Sequence, residues 1–174
     1  MLIRYHEPIG EPWKAVDPVP QNVVELDKTD PLLPKNFNCV DYKLFRSGLV
    51  FPSQVHHLRG TYGIQHIVSL VPGDWLSSWF DDASVTIHQF PFHRRREMTP
   101  SHVNNIVKTI AGLEGRVLVH CKKGETRTGM VCAAYRMQRG VYPLGCVVID
   151  AVLHGMVNGS ALRDVLFYYP KMFS

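Results

Sequence analysis

Residues His120 to Gly129 read His-Cys-Lys-Lys-Gly-Glu-Thr-Arg-Thr-Gly, with five residues between the cysteine and the arginine. The apolar run Arg116-Val-Leu-Val-His120 enters this stretch, and a helical pattern leaves it. A strand that turns through a short glycine-containing loop into a helix aims backbone N–H groups into a concavity. The helix N-terminus adds partial positive charge there, so the loop is suited to an anion such as phosphate. The same field favours a thiolate: near a helix N-terminus and cationic side chains, a cysteine pKa falls from about 8.5 to roughly 3.5–7.5. Cys121 is therefore the candidate nucleophile, activated by its surroundings rather than by a dedicated base. Arg127 offers a planar fork for two anionic oxygens and for charge that develops on them.

The remaining loop residues have narrower roles. Lys122, Lys123, Gly124, Glu125 and Thr126 complete the expected phosphate cradle, and Gly124 supplies the conformational freedom of a tight turn. Thr128 can donate a hydrogen bond to the cysteine sulfur when it leaves as thiolate. His120 is read as orienting the loop by hydrogen bonding rather than as a proton donor. Lys122 and Lys123 attract a polyanion, whereas Glu125 repels one.

At these residues the chain resembles the cysteine-dependent protein phosphatases with the His-Cys-x5-Arg-Ser/Thr-Gly signature, and within them the small dual-specificity type. Two upstream segments, Asn36-Phe-Asn-Cys-Val-Asp-Tyr-Lys-Leu-Phe-Arg-Ser-Gly48 and Gly63-Ile-Gln-His-Ile-Val-Ser-Leu-Val71, are similar to the atypical plant-and-fungal group. The resemblance spans about residues 36 to 157. It implies phosphate ester hydrolysis through a cysteinyl-phosphate, with no cofactor and no metal. It also gives Arg46 a buried ion-pair or hydrogen-bond role. Substrates implied are a phosphorylated protein or a small polyanion such as an inositol phosphate, with phosphate, sulfate or vanadate able to occupy the loop.

The resemblance further implies an aspartate on a mobile loop that protonates the leaving oxygen, in a Pro-Phe segment followed by two acidic residues. Here that segment is Phe90-Pro-Phe-His-Arg-Arg-Arg-Glu-Met-Thr-Pro100, and His93 and Arg94 stand at the acidic positions. A guanidinium does not donate a proton near neutral pH. Glu97, His93 and Asp74 are the candidate replacements, and the absence of any donor is the fourth alternative. General acid help is typically worth about 10²–10⁴-fold in rate and matters most for basic leaving groups. A weak catalyst on alkyl phosphates, an enzyme of phosphoanhydrides (inositol pyrophosphate or an RNA 5′-triphosphate) and a phosphate-binding module without turnover all fit. Arg94, Arg95 and Arg96 are expected at the rim, where they would attract a polyanion. A sulfur-carrier reading is disfavoured by His120 and by Thr128-Gly129.

The elements that must position this loop follow from length and pattern. At 174 residues the chain fits one domain with a real core. A net charge of +4 permits acidic partners without demanding nucleic acid. No run reaches the roughly 18 apolar residues of a membrane span; the best candidate, Cys146 to Leu153, is interrupted by Asp150. With a start lacking a signal pattern, this suggests a reducing, cytoplasmic setting in which a thiol nucleophile survives. Cys39, Cys132 and Cys146 are read as small buried hydrophobes.

Residues 1–35 carry prolines 8, 12, 18, 20, 31 and 34 and read as an extended arm, anchored through Trp13 and Val23-Val24, ahead of a catalytic domain over 36–174. Strands are expected at Tyr42–Val50, Ile64–Val71, Val85–Phe92 and Val117–His120. Helices are expected from Pro52 to Arg59, from Thr99-Pro100 onward, over Gly129–Arg139, after Pro143 with Leu144, Val147, Val148, Ala151 and Val152 on one side, and after Ser160 with Leu162, Val165, Leu166 and Tyr169. Alternating strands and helices imply an α/β domain, its mainly parallel central sheet flanked by helices, with the site at a carboxyl strand end.

Overall fold

The computed structural model describes residues 26–73, 85–140 and 142–172. Asp74, Trp13, Trp75, Trp79, Val23-Val24 and most of the proline-rich arm lie outside the described residues. The elements run β1 (Asn38–Cys39), β2 (Leu44–Ser47), α1 (Pro52–Tyr62), β3 (Ile64–Ser69), β4 (Thr86–Gln89), a 3-10 turn (Arg95–Glu97), α2 (Pro100–Gly112), β5 (Arg116–His120), α3 (Thr126–Arg139), α4 (Leu144–Leu153) and α5 (Gly159–Phe167). The five strands form one sheet in the order β1-β2-β5-β3-β4. Only β1 and β2 pair antiparallel; β2–β5, β5–β3 and β3–β4 are parallel.

The chemistry of β5 explains its central place. Val117, Leu118 and Val119 are fully buried, and a continuous apolar run is what a strand covered on both faces requires. Each such side chain contributes about 1.5–3 kcal/mol on burial. At the carboxyl end of β5, His120 pairs laterally with Ser47 of β2 and with Ser69 of β3. Three carboxyl strand ends therefore converge where the chain enters the 121–127 loop.

Helix α3 leaves that loop and packs against α2, α4 and α5, with β2 and β5 beside it. Every residue from Thr128 to Tyr135 is buried, as the Met, Val, Ala and Tyr content suggested. Thr99 caps α2, its hydroxyl accepting from the His102 N–H at 3.3 Å, and Pro100 occupies the first turn.

Several expected boundaries move for local reasons. The strand expected over Tyr42–Val50 shrinks to Leu44–Ser47 because the Asp41 carboxylate accepts from the N–H groups of Lys43 and Leu44, at 2.9 and 2.7 Å, and makes a turn there. Helix α3 begins three residues earlier than expected, at Thr126. In α4, Val147 and Ala151 are buried, but Leu144 and Val152 are exposed. Asn158, not Ser160, caps α5, accepting from the N–H groups of Ser160 and Ala161 at 3.1 Å each. Leu166 is exposed while Tyr169 is buried. Only Cys132 of the three remaining cysteines behaves as a buried hydrophobe; burial pushes its thiol up to about 11. Cys39 is half-buried and donates to the Asp41 carbonyl, and Cys146 is exposed. No helix among the described residues is long and apolar enough to cross a membrane.

Candidate active site

The 121–127 loop is shaped by donors outside it. The Lys122 carbonyl accepts from the Leu49 N–H at 3.3 Å, the Lys123 carbonyl from Asn36 Nδ2 at 3.0 Å, and the Gly124 carbonyl from Arg46 Nη2 at 2.7 Å. In a trans peptide the C=O and the following N–H point opposite ways. Tying three successive carbonyls outward therefore turns the N–H groups of Lys123, Gly124 and Glu125 the other way, into the loop. These are the donors a bound phosphate needs.

Gly124 is obligatory at its position. Its φ is 74°, and an added Cβ would lie 2.6 Å from the Gly48 nitrogen and 2.7 Å from the Ser47 oxygen, both backbone atoms. The tight approach is what brings the Gly124 carbonyl to Arg46.

Arg46 is 1% exposed, so its charge needs compensation inside the protein. Asp150 of α4 provides it: Oδ2 lies 3.9 Å from Arg46 Nη1, and Oδ1 lies 3.2 Å from Arg136 Nη1. His154 closes the cluster through Nδ1, 2.8 Å from the Asp150 carbonyl. The sequence reading foresaw the buried role of Arg46 but gave none to Asn36, Arg136 or Asp150. The available signal was Asp150 itself, a carboxylate interrupting the apolar run of α4.

Cys121 sits at the base of this cradle and is 3% exposed. Thr128, in the first turn of α3, is fully buried, and its Oγ1 has no hydrogen-bond partner among the described residues. An unpartnered buried hydroxyl is a donor in reserve. His120 is also fully buried. Burial pushes its imidazole down to about 4, opposed by the Cys121 backbone and reinforced by the Arg127 charge. It is therefore neutral at pH 7. Neither ring nitrogen has a well-formed hydrogen bond among the described residues, so the orienting role expected of it reduces to the contact with the Cys121 backbone.

Arg127 is half-buried, and Nη1 donates to the carbonyl of Leu70, at 2.9 Å, and to that of Phe92. One edge of the guanidinium thus clamps the end of β3 to the segment after β4. The Nε–Nη2 edge is left to address an anion.

That segment departs from several expectations. Glu97 folds back on its own loop, its Oε2 accepting from the His93 N–H at 2.8 Å. Desolvation nudges its carboxyl upward, but the N–H groups of Arg94 and His93, helped by their charges, hold it below the ordinary carboxylate value. An ionised carboxylate turned onto its own backbone is not placed to donate a proton. Arg95 is not a free rim cation: Nη2 pairs with Asp164 Oδ2 on α5. Arg94, Arg96 and His93 are exposed. Lys122 and Lys123 are exposed as well, and Lys123 Nζ lies 4.0 Å from Glu125 Oε2, so the loop carboxylate partly offsets its own lysine. Among the described residues, no group of three His, Cys, Asp or Glu side chains could hold a metal ion.

Comparison with known proteins places this geometry. A family model described as "PTP-SAK: Swiss Army Knife protein, DSP-PTPase phosphatase domain" matches residues 44–164. The dual specificity protein phosphatase TpbA of Pseudomonas aeruginosa (strain UCBPP-PA14) is 29% identical over 132 residues, covering 74% of this chain and 58% of that protein. The chain spans about half the length of the curated relatives it matches. Among solved structures, the core catalytic domain of the PP-IP phosphatase SIW14 from S. cerevisiae, in complex with citrate, has a TM-score of 0.68 at 15% identity, covering 78% of this chain and 86% of that one. A cysteine-to-serine variant of P. aeruginosa TpbA in complex with phosphotyrosine has a TM-score of 0.65 at 24% identity, covering 77% and 82%.

Proposed function

The chain belongs to the DSP-PTPase phosphatase domain family, and on that premise we propose that it hydrolyses phosphate esters through a cysteinyl-phosphate on Cys121. The observation that carries this reading is the set of three loop carbonyls tied outward above a buried cysteine. The Cys121 thiolate attacks phosphorus, the P–O bond to the leaving group breaks, and its electron pair departs on the leaving oxygen. The N–H groups of residues 123–125 and the Nε–Nη2 edge of Arg127 hold the equatorial oxygens throughout. Water then attacks phosphorus, the P–S bond breaks, and inorganic phosphate leaves. Thr128 Oγ1 donates to the departing sulfur. The free Cys121 thiol that this reaction needs fits a reducing setting such as the cytoplasm.

The leaving group is the finer question. With Glu97 bonded to its own loop and Arg94 at an acidic position, turnover is best for leaving oxygens of low basicity. Aryl phosphates, phosphotyrosine among them, meet that condition. The Glu97 geometry also favours a second reading, cleavage of phosphoanhydrides, whose departing phosphate needs little protonation. The test is phosphate release from p-nitrophenyl phosphate, phosphotyrosine peptide, an alkyl phosphate and an inositol pyrophosphate, wild type against Cys121→Ser. Turnover abolished by the substitution, with the alkyl ester slowest, is expected. Turnover that survives Cys121→Ser, or no turnover with vanadate still bound, overturns the enzyme reading.

A further inference from the structure

Helix α4 presents apolar side chains to solvent and its one charge to the interior. Asp150 is the only charged residue among its ten, and that carboxylate points inward, at Arg46 and Arg136. The opposite side is formed by Cys146, Ile149 and Leu153, which their spacing sets in one stripe, with Val152 beside it. Ile149 is 58% exposed, Leu153 78% and Val152 41%, and Cys146 is exposed as well. No polar side chain interrupts this stripe. A helix that is apolar all round is ordinarily covered all round, and a contiguous exposed apolar patch marks a surface that something occupies.

The N-terminal part of the chain meets this helix at its carboxyl end. Asn38 Nδ2 lies 2.6 Å from His154 Nε2, and Lys28, Leu33 and Asn38 line one groove together with Leu153 and His154. Leu26, where the described residues begin, is half-buried against the core. The sequence ahead of it carries Trp13, Val16, Val19, Val23 and Val24, with prolines at 12, 18 and 20. Proline-rich chain extends about 3.1 Å per residue, whereas a helix rises about 1.5 Å per residue. About five extended residues therefore match the ten of α4, fewer than the stretch from Trp13 to Val24 offers.

We propose that the outer side of α4 is the docking surface of the chain's own arm: residues 13–24 lie along it and cover Ile149, Val152 and Leu153, with Trp13 as the largest apolar anchor. The arm is then a strap of the same domain, fixed at Leu26 and passing over the helix whose inner side carries Asp150. The occupant is intramolecular, because the chain already leads to the end of the apolar stripe and has the length and the apolar side chains to follow it. This docking does not depend on the chemistry at Cys121.

Cys146 lies in the stripe and reports on its cover. The full chain is treated with iodoacetamide, and the labelling rate at Cys146 is read from its peptide by mass spectrometry, with light scattering on the same samples. Cys132, which is buried, stays unlabelled while the fold is intact and serves as the internal control. Labelling of Cys146 in the wild-type monomer is expected to be slower, by ~10-fold or more, than in a variant carrying Trp13→Asp, Val23→Asp and Val24→Asp. Leu153→Asp, made on the helix side of the contact, is expected to give the same acceleration. Equal rates in all three chains, or acceleration by one variant and not the other, overturn the strap. Protection that grows with protein concentration, together with a dimer in light scattering, assigns the face to a second copy and overturns it as well.

Discussion

Arg46 Nη2 donates to the Gly124 carbonyl at 2.7 Å, across 78 residues of sequence, from a guanidinium shielded almost completely from solvent. The bond joins the end of β2 to the tightest point of the phosphate loop. Behind it stands Asp150, which Arg136 and His154 hold from the other side. Loop shape thus depends on a charge cluster that stands on the outward-carbonyl side of the loop.

Asp150→Ala is therefore expected to loosen the loop and to destabilise the protein by about 1–3 kcal/mol, since it leaves two guanidinium groups without their shared carboxylate. Urea denaturation measures the stability. The vanadate inhibition constant, measured well below the unfolding midpoint, reads the loop; an unchanged constant would separate Asp150 from the site.

Gly124→Ala combines a positive φ with a backbone collision. It is expected to cost about 1–3 kcal/mol in strain and to abolish phosphate binding, because the N–H groups of 123–125 can no longer converge. Comparison with Gly60→Ala, where an added Cβ meets nothing, controls for the loss of glycine itself in a thermal melt and a phosphate titration.

His120 makes stability depend on pH. Its folded-state pKa lies near 4, below the ordinary 6.5, so the unfolded chain binds the proton more readily. Its contribution is complete above pH 6.5 and is lost as pH falls from there to about 4. Over that window the loss is on the order of 3 kcal/mol. In His120→Asn the unfolding free energy should vary less between pH 6.5 and 4 than in the wild type; equal slopes would show that the imidazole is not the source.

Glu97 is expected to be dispensable as a proton donor. Glu97→Gln should leave kcat on phenyl phosphate, whose leaving oxygen is far more basic than that of p-nitrophenyl phosphate, within ~2-fold, against the 10²–10⁴-fold loss that removing a working general acid brings. Because its carboxyl is held low, whatever stability it contributes is present above pH 4.5 and lost as pH falls below it. A flattened alkaline limb of the kcat profile in the variant would restore Glu97 to the mechanism.

Much of this was legible in the amino-acid order alone, and the reason is locality. The spacing of Cys121 and Arg127, the strand feeding them, the Thr99-Pro100 cap and the apolar face of α2 are set by neighbours within one or two turns of chain. The parallel sheet followed from alternating patterns. What the order could not reveal is which distant groups close the site. Asn36 reaches Lys123 across 87 residues, Asp150 on α4 meets Arg46 on β2, and Arg95 is drawn to Asp164. Each is decided by where burial and packing place a charge, and a charge in a sequence carries no record of the partner that the fold will bring to it.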